Sequence, residues 1–324
     1  RLTTLTELNL SKNTSITDEG IKNLVRLTSL DLRRNRKIKN KGIDNLTNLT
    51  CLILTVNRTI ENDGLKNLTN ITNLDLSCNH CITDEGITSL TSLASLNLAR
   101  NDTITDDGIK HLANLTALNL EGNDTITNEE LKNFTNLTLL DLSKNEKITD
   151  NTIKNFTNLN TLSLNKNDTI TKEGLKNLTN LTVLDLACNP KITDTGIKNL
   201  TNLRALNLEG NDTVTNQGLN NLINLTVLDL ACNPKITDTG IKNLTTLRAL
   251  NLKGNDKITN KGLKNFTNLT LLDLSENKKI TDTGIKNLIN LNELLLYSHD
   301  SIEMNEIHHP SFFDKALIIG SVTK

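Results

Sequence analysis

The phrase L-x-x-L-x-L-x-x-N returns every 22 residues without an insertion. It ends at Asn13, Asn35, Asn57, Asn79, Asn101, Asn123, Asn145, Asn167, Asn189, Asn211, Asn233, Asn255 and Asn277. A unit this short cannot bury its own apolar side, so neighbouring units must stack and share one continuous core. The unbroken period therefore predicts a single elongated solenoid, although 324 residues would ordinarily suggest two globular domains.

Within one repeat, the alternation Val183-Leu184-Asp185-Leu186-Ala187 reads as a short strand. Leu184 and Leu186 point inward, while Val183, Asp185 and Ala187 point to the opposite face. Fourteen such segments predict a parallel sheet with a curved face about 60 Å long, at about 4.8 Å per strand. The asparagine column follows each strand. Asn carries both a donor and an acceptor, so an inward Asn can satisfy backbone groups where the chain turns and can link adjacent turns.

The phrase I-T-D-x-G-[IL]-K-N-[LF] comes next and predicts a short convex helix, with Thr193 or Asp194 as N-cap and Ile197 and Leu200 on its inward face. Glycine holds one column, from Gly20 to Gly284, which close approach of neighbouring turns would require. Glu130 and Thr152 interrupt it, so their two repeats are expected to differ slightly. Phe134, Phe156 and Phe266 replace leucine at an inward position and are expected in the core.

The combination of ITDxGI with LxxLxLxxN resembles the cysteine-containing leucine-rich repeats of F-box-type and ribonuclease-inhibitor-like proteins. The 22-residue length and the LTNLTxLxL phrase look like bacterial internalins. The resemblance spans about residues 5–296 and implies an α/β leucine-rich repeat solenoid, a horseshoe or arc with a concave parallel sheet and short convex helices. It also implies that the concave face carries partner binding. Asn stands where the first group has its cysteine, and no F-box-like segment is present.

Composition narrows function further. A net charge of −1 gives no global field favouring nucleic acid or membrane. No apolar run approaches the roughly 20 residues a spanning helix needs. Cys188 and Cys232 occupy equivalent positions two turns, about 10 Å, apart, too far for a disulfide. Reduced thiols fit an intracellular, cytoplasmic compartment. Recurring Asn-x-Thr triplets, such as Asn48-Leu49-Thr50 and Asn180-Leu181-Thr182, would invite glycans along one face in a eukaryotic secretory pathway. Bacterial secretion or delivery into a host cell stays open. The chain begins inside a repeat at Arg1, so a cap, signal peptide or further domain is expected upstream.

No enzyme signature, cofactor motif or metal site emerges. Cys78-Asn79-His80-Cys81 contains a C-x-x-C. In register, however, Cys78 matches Cys188 and Cys232, and no second ligand pair accompanies it. The expected function is a non-catalytic module that binds another protein or an extended peptide. The alternatives are the substrate-recognition arm of a larger enzyme or effector and a structural or adhesive surface array.

Two features of the concave face mark candidate sites. The central outward column alternates Asp with Asn or Ser and never places two aspartates side by side, as like charges about 4.8 Å apart would repel. That column offers an acidic track through Asp75, Asp141, Asp185, Asp229 and Asp273. Cys51, Ile53, Thr55 and Val56 instead form an exposed apolar cluster beside Arg33 and Arg34, with Arg36, Lys37, Lys39 and Lys41 in the adjoining loop. Apolar side chains rimmed by charge are the anatomy of an interface. The basic loop lacks interleaved aromatics, so nucleic acid is not the expected partner.

The period fails after Leu296. Residues 1–296 are read as the solenoid of 13–14 repeats. Residues 297–324, with Phe312, Phe313, Leu317, Ile318 and Ile319, are read as a C-terminal cap over the last open core turn, or alternatively as a docking motif. Residues 181–208 and 225–252 differ only at Asn202 and Thr246, which marks a copied two-repeat block.

Overall fold

Each repeat supplies one three-residue strand, and consecutive strands pair in parallel at an offset of one repeat. The computed structural model describes residues 2–297 and 312–314, and the chain divides into two compact units, Arg1–Asn158 and Leu159–Lys324. In the first, β1 (Glu7–Asn9), β2 (Ser29–Asp31), β3 (Cys51–Ile53), β4 (Asn73–Asp75), β5 (Ser95–Asn97), β6 (Ala117–Asn119) and β7 (Leu139–Asp141) pair in chain order. In the second, the order runs through β8 (Thr161–Ser163), β9 (Val183–Asp185), β10 (Ala205–Asn207), β11 (Val227–Asp229), β12 (Ala249–Asn251), β13 (Leu271–Asp273) and β14 (Glu293–Leu295).

The predicted alternation holds. Leu30, Leu52, Leu184 and Leu206 at the strand centres are fully buried, as are Leu32, Leu54, Leu186 and Leu208 two residues on. Phe156 and Phe266 are fully buried and Phe134 nearly so. The return limb is a single helical turn, such as Asp84–Ile87 or Asp194–Ile197, rather than a longer helix. One turn has too few internal hydrogen bonds to stand alone, so packing holds it in place.

Three ladders tie turn to turn. The Asn101 amide donates to Leu76 O at 3.1 Å and Asn79 O at 2.7 Å, and its Oδ1 accepts from Thr103 N and Ile104 N. Asn35, Asn57, Asn211 and Asn233 repeat this arrangement. A second ladder runs along the helical turns. Asp194 does not cap its own helix, whose N-cap is Thr193. Its two carboxylate oxygens accept from Thr215 N and Thr215 Oγ1 of the next turn, each at 2.7 Å. A third ladder uses the asparagines of the Asn-x-Thr triplets: Asn48 donates to Val25 O at 2.8 Å and Asn70 to Thr47 O at 2.9 Å.

The glycine column answers to the second ladder. A Cβ on Gly42 would stand 2.6 Å from Asp18 Oδ1, the atom that accepts from Lys39 N. Where Thr152 replaces glycine it is buried, and its hydroxyl donates to Asn128 Oδ1 at 2.7 Å, so the oxygen that would clash becomes an acceptor.

The residue before each ladder asparagine adopts a left-handed conformation. Arg34 (φ 53°), Val56 (φ 52°), Cys78 (φ 50°) and Cys188 (φ 50°) share it with Gly122 (φ 55°) and Gly210 (φ 57°). This places Cys78 in the register deduced from the repeats. His80, beside it, pairs through Nδ1 with Asp102 Oδ1 of the next turn.

Candidate functional site

The sheet face turned away from the core carries the residues that the ladders do not fix. Its central column has a local task of its own. Asp31 Oδ1 accepts from Arg33 N, Asp75 Oδ1 from Ser77 N, Asp185 Oδ1 from Ala187 N and Asp273 Oδ1 from Ser275 N, all at 2.8 Å. Asn97 and Asn119 do the same toward Ala99 N and Glu121 N. The side-chain oxygen thus closes the turn two residues on, which Asp and Asn perform equally well. Turn closure explains the restriction to these residue types.

Ile53 breaks this column. It lies in register between Asp31 on β2 and Asp75 on β4, and it offers the Thr55 N–H no acceptor. Cys51, Ile53, Thr55 and Val56 are each half-buried rather than openly exposed, which corrects the expectation of a projecting apolar cluster. The Ser77 hydroxyl donates to Thr55 Oγ1 at 3.2 Å. Val56 sits in the turn past the strand. Arg33 and Arg34 are exposed, and the Arg33 guanidinium reaches Asp31 Oδ2 at 3.8 Å. Arg36, Lys37, Lys39 and Lys41 are exposed beside them. On the same unit, Glu121 accepts from Arg100 at 2.9 Å and Lys144 at 2.8 Å. Burial alone would push the Glu121 carboxyl up, but the two cations outweigh it and hold it below its ordinary range.

The expected acidic track is not continuous surface. Asp75 and Asp141 in the first unit and Asp185 in the second are half-buried. Burial pushes the Asp141 carboxyl up despite its hydrogen bonds with Ser143. Asp229 and Asp273 are buried, at 2% and 7% exposure, and are withdrawn from any surface track. Asp229 Oδ1 accepts from Ala231 N and Oδ2 from the Asn251 amide. Burial pushes its carboxyl up to about 7.

Part of the second unit's sheet face is covered by Phe312 and Phe313. Phe312–Asp314 is helical, and Phe313 packs against Ala205, Val227, Ala249 and Leu271. Val183, Leu295 and Phe312 lie half-buried around that cluster. Phe313 rests on the sheet face over β10–β13 with Phe312 at the edge of that cluster, and the rest of the expected cap beyond Tyr297, apart from Asp314, lies outside the described residues. Leu317, Ile318 and Ile319 lie outside the described residues. A signal for this site lies in the sequence: the first outward column is polar or small from Glu7 through Ser95, turns apolar at Ala117 and Leu139, returns to Thr161, and is then apolar without a break through Val183, Ala205, Val227, Ala249 and Leu271. A change from polar to apolar on a solvent-side column marks a covered face.

Among the described residues no helix is long and apolar enough to cross a membrane.

With this geometry in hand, comparison with known proteins places the chain. The Leucine Rich repeat family matches residues 1–25, 27–46, 67–91, 89–113, 111–132, 135–154, 157–178, 177–200, 199–222, 221–244, 243–266 and 267–288. The chain belongs to the leucine-rich repeat family. No curated protein matches it by sequence. Among solved structures it is similar to an internalin, inlF, from Listeria monocytogenes, with 24% identity and a TM-score of 0.53 over 94% of this chain and 88% of that one. It is similar to a chain of the yeast Rad7–Elc1 complex, with 20% identity and a TM-score of 0.58 over 92% and 84%. A chain of the TLR13–ssRNA13 complex matches with 24% identity and a TM-score of 0.56 over 86% of this chain and 46% of that one. At such identities the likeness is one of fold, and these structures pair it with a protein in one case and with RNA in another.

Proposed function

We propose that the chain is a non-catalytic binding module, and that the sheet face at β2–β4 holds another protein or an extended peptide. The observation that carries this reading is Ile53. Its neighbours Asp31 and Asp75 each close a turn with a side-chain oxygen. Ile53 forgoes that bond and gains only half-burial in return. A residue that costs the scaffold a hydrogen bond on a face the scaffold does not dictate is accounted for by what it contacts outside the chain. Completing the burial of Ile53 in a partner would contribute roughly 1 kcal/mol. Arg33, Arg34, Cys51, Thr55 and Val56 supply the rim, and Asp75 and Asp141, on the same unit, the polar flank.

A protein partner fits this face better than nucleic acid. The exposed cations stand beside carboxylates, and the sequence has no aromatic residue before Phe134 to offer this face for base stacking. The test is affinity capture from the native cell or host, comparing wild type with Ile53→Glu/Val56→Glu, after far-UV spectra show both folded. A protein retained by wild type and lost by the variant supports the site. Equal retention removes it from β2–β4, and nuclease-sensitive capture replaces the protein reading with nucleic acid.

A further inference from the structure

The duplicated block shows that the cover on the second unit is an added layer, not a property of the repeat. Residues 181–208 and 225–252 differ at one position, yet Val227 is 3% exposed while Val183 is half-buried, and Asp229 is buried while Asp185 is half-buried. Val227 lies inside the cluster that Phe313 joins, whereas Val183 lies only at its edge, so identical sequence in identical register has different burial. The face beneath is shaped for this. Small Ala205 and Ala249 alternate with larger Val183, Val227 and Leu271, so each alanine leaves a dip flanked by branched side chains about 10 Å apart. Aromatic side chains fill such dips with large, rigid apolar area.

We propose that the strip Val183–Ala205–Val227–Ala249–Leu271 is a binding site for a partner peptide carrying an adjacent pair of aromatic residues, and that Phe312–Phe313 occupies it in cis as a tethered competitor. Deepening the binding role above, this inference rests on it but assigns a different face and a ligand chemistry. The tether permits cis occupancy. Residues 298–311 could span up to about 50 Å, whereas β14 and β11 are only about 15 Å apart. An occupant on the same chain competes without a cost of association, so it masks an intermolecular ligand of weaker or similar affinity.

The probe is a fluorescein-labelled synthetic peptide of residues 307–318, titrated by anisotropy against full-length wild type and full-length Phe312→Ala/Phe313→Ala. The expected result is saturable binding to the variant and at least ten-fold weaker binding to wild type. The same peptide with both phenylalanines replaced by alanine should bind neither protein. Adding Leu271→Asp to the variant should abolish binding while the far-UV spectrum is kept. Equal affinity for wild type and variant, no binding to a folded variant, or binding indifferent to Leu271→Asp overturns the proposal. A wild-type dimer that the double alanine substitution dissolves also overturns it, since the occupant would then be a second copy's tail. The peptide assay does not involve β2–β4, so its failure and the failure of the capture experiment are separate outcomes.

Discussion

The Asn251 side-chain amide donates to Asp229 Oδ2 at 3.0 Å across two adjacent strands, on the face that Phe313 covers. Asn251 is 5% exposed and Asp229 2%. Burial raises the Asp229 carboxyl to about 7, while the bonds from Ala231 N and Asn251 pull the other way and the charges of Glu209 and Asp185 add to the rise. The folded state therefore holds a proton that the unfolded state, titrating near 3.8, has released. Stability linked to this group is fully present below about 4, falls as pH rises toward 7 and is lost above it. The loss is limited by the free energy of lifting the tail, since an uncovered carboxylate is hydrated. Amide hydrogen exchange over β10–β13 should show stronger protection at pH 5 than at pH 8, and Asp229→Asn should flatten that dependence. A flat profile in wild type would mean that Asp229 is hydrated beneath the tail.

The asparagine ladder should be the costliest place to cut. Asn101 is 1% exposed and holds two carbonyls of the preceding strand and turn as well as two N–H groups of its own turn. Asn101→Ala would leave these buried groups without partners, at roughly 3 kcal/mol or more. The expected signature is local: exchange protection falls first at Thr103 and Ile104, whose N–H groups donate to Asn101 Oδ1, because each turn is tied only to its neighbours.

Gly122 tests the left-handed position. A Cβ there would meet only Arg100 Cγ, at 3.4 Å, so space is adequate. The backbone, at φ +55°, is the obstacle to a branched side chain. Gly122→Val should cost about 1–2 kcal/mol and Gly122→Asn clearly less, since Asn tolerates this region. Urea midpoints of the two variants decide it. Equal losses would point to crowding rather than backbone conformation.

The residues that every repeat shares were readable because a period repeats its own evidence: Leu184 and Leu186 inward, the asparagines as links, glycine at the close approach. Two kinds of feature are not legible in the repeats. Asp194 satisfies the next turn instead of its own helix, and Asp185 closes a turn two residues on. In each case a carboxylate has two plausible backbone partners, and spacing alone does not choose between them. The cover by Phe312 and Phe313 has no periodic signature, because the tail lies outside the repeats and its contacts are long-range. Only the unbroken apolar run from Val183 to Leu271 in the first outward column announces it.

Ile53 offers a test in which stability and binding should part company. Ile53→Asn would restore an acceptor for the Thr55 N–H, as Asn97 provides for Ala99, without adding a third charge between Asp31 and Asp75. The regained hydrogen bond contributes about 1 kcal/mol, and the lost half-burial of the isoleucine costs a similar amount. The urea midpoint should therefore shift little, in either direction. If the face at β2–β4 is the binding surface, partner capture should nevertheless drop at least ten-fold, since an amide is desolvated where an aliphatic side chain had been buried. Loss of stability with capture retained would identify Ile53 as a packing residue of the sheet and leave binding to other columns.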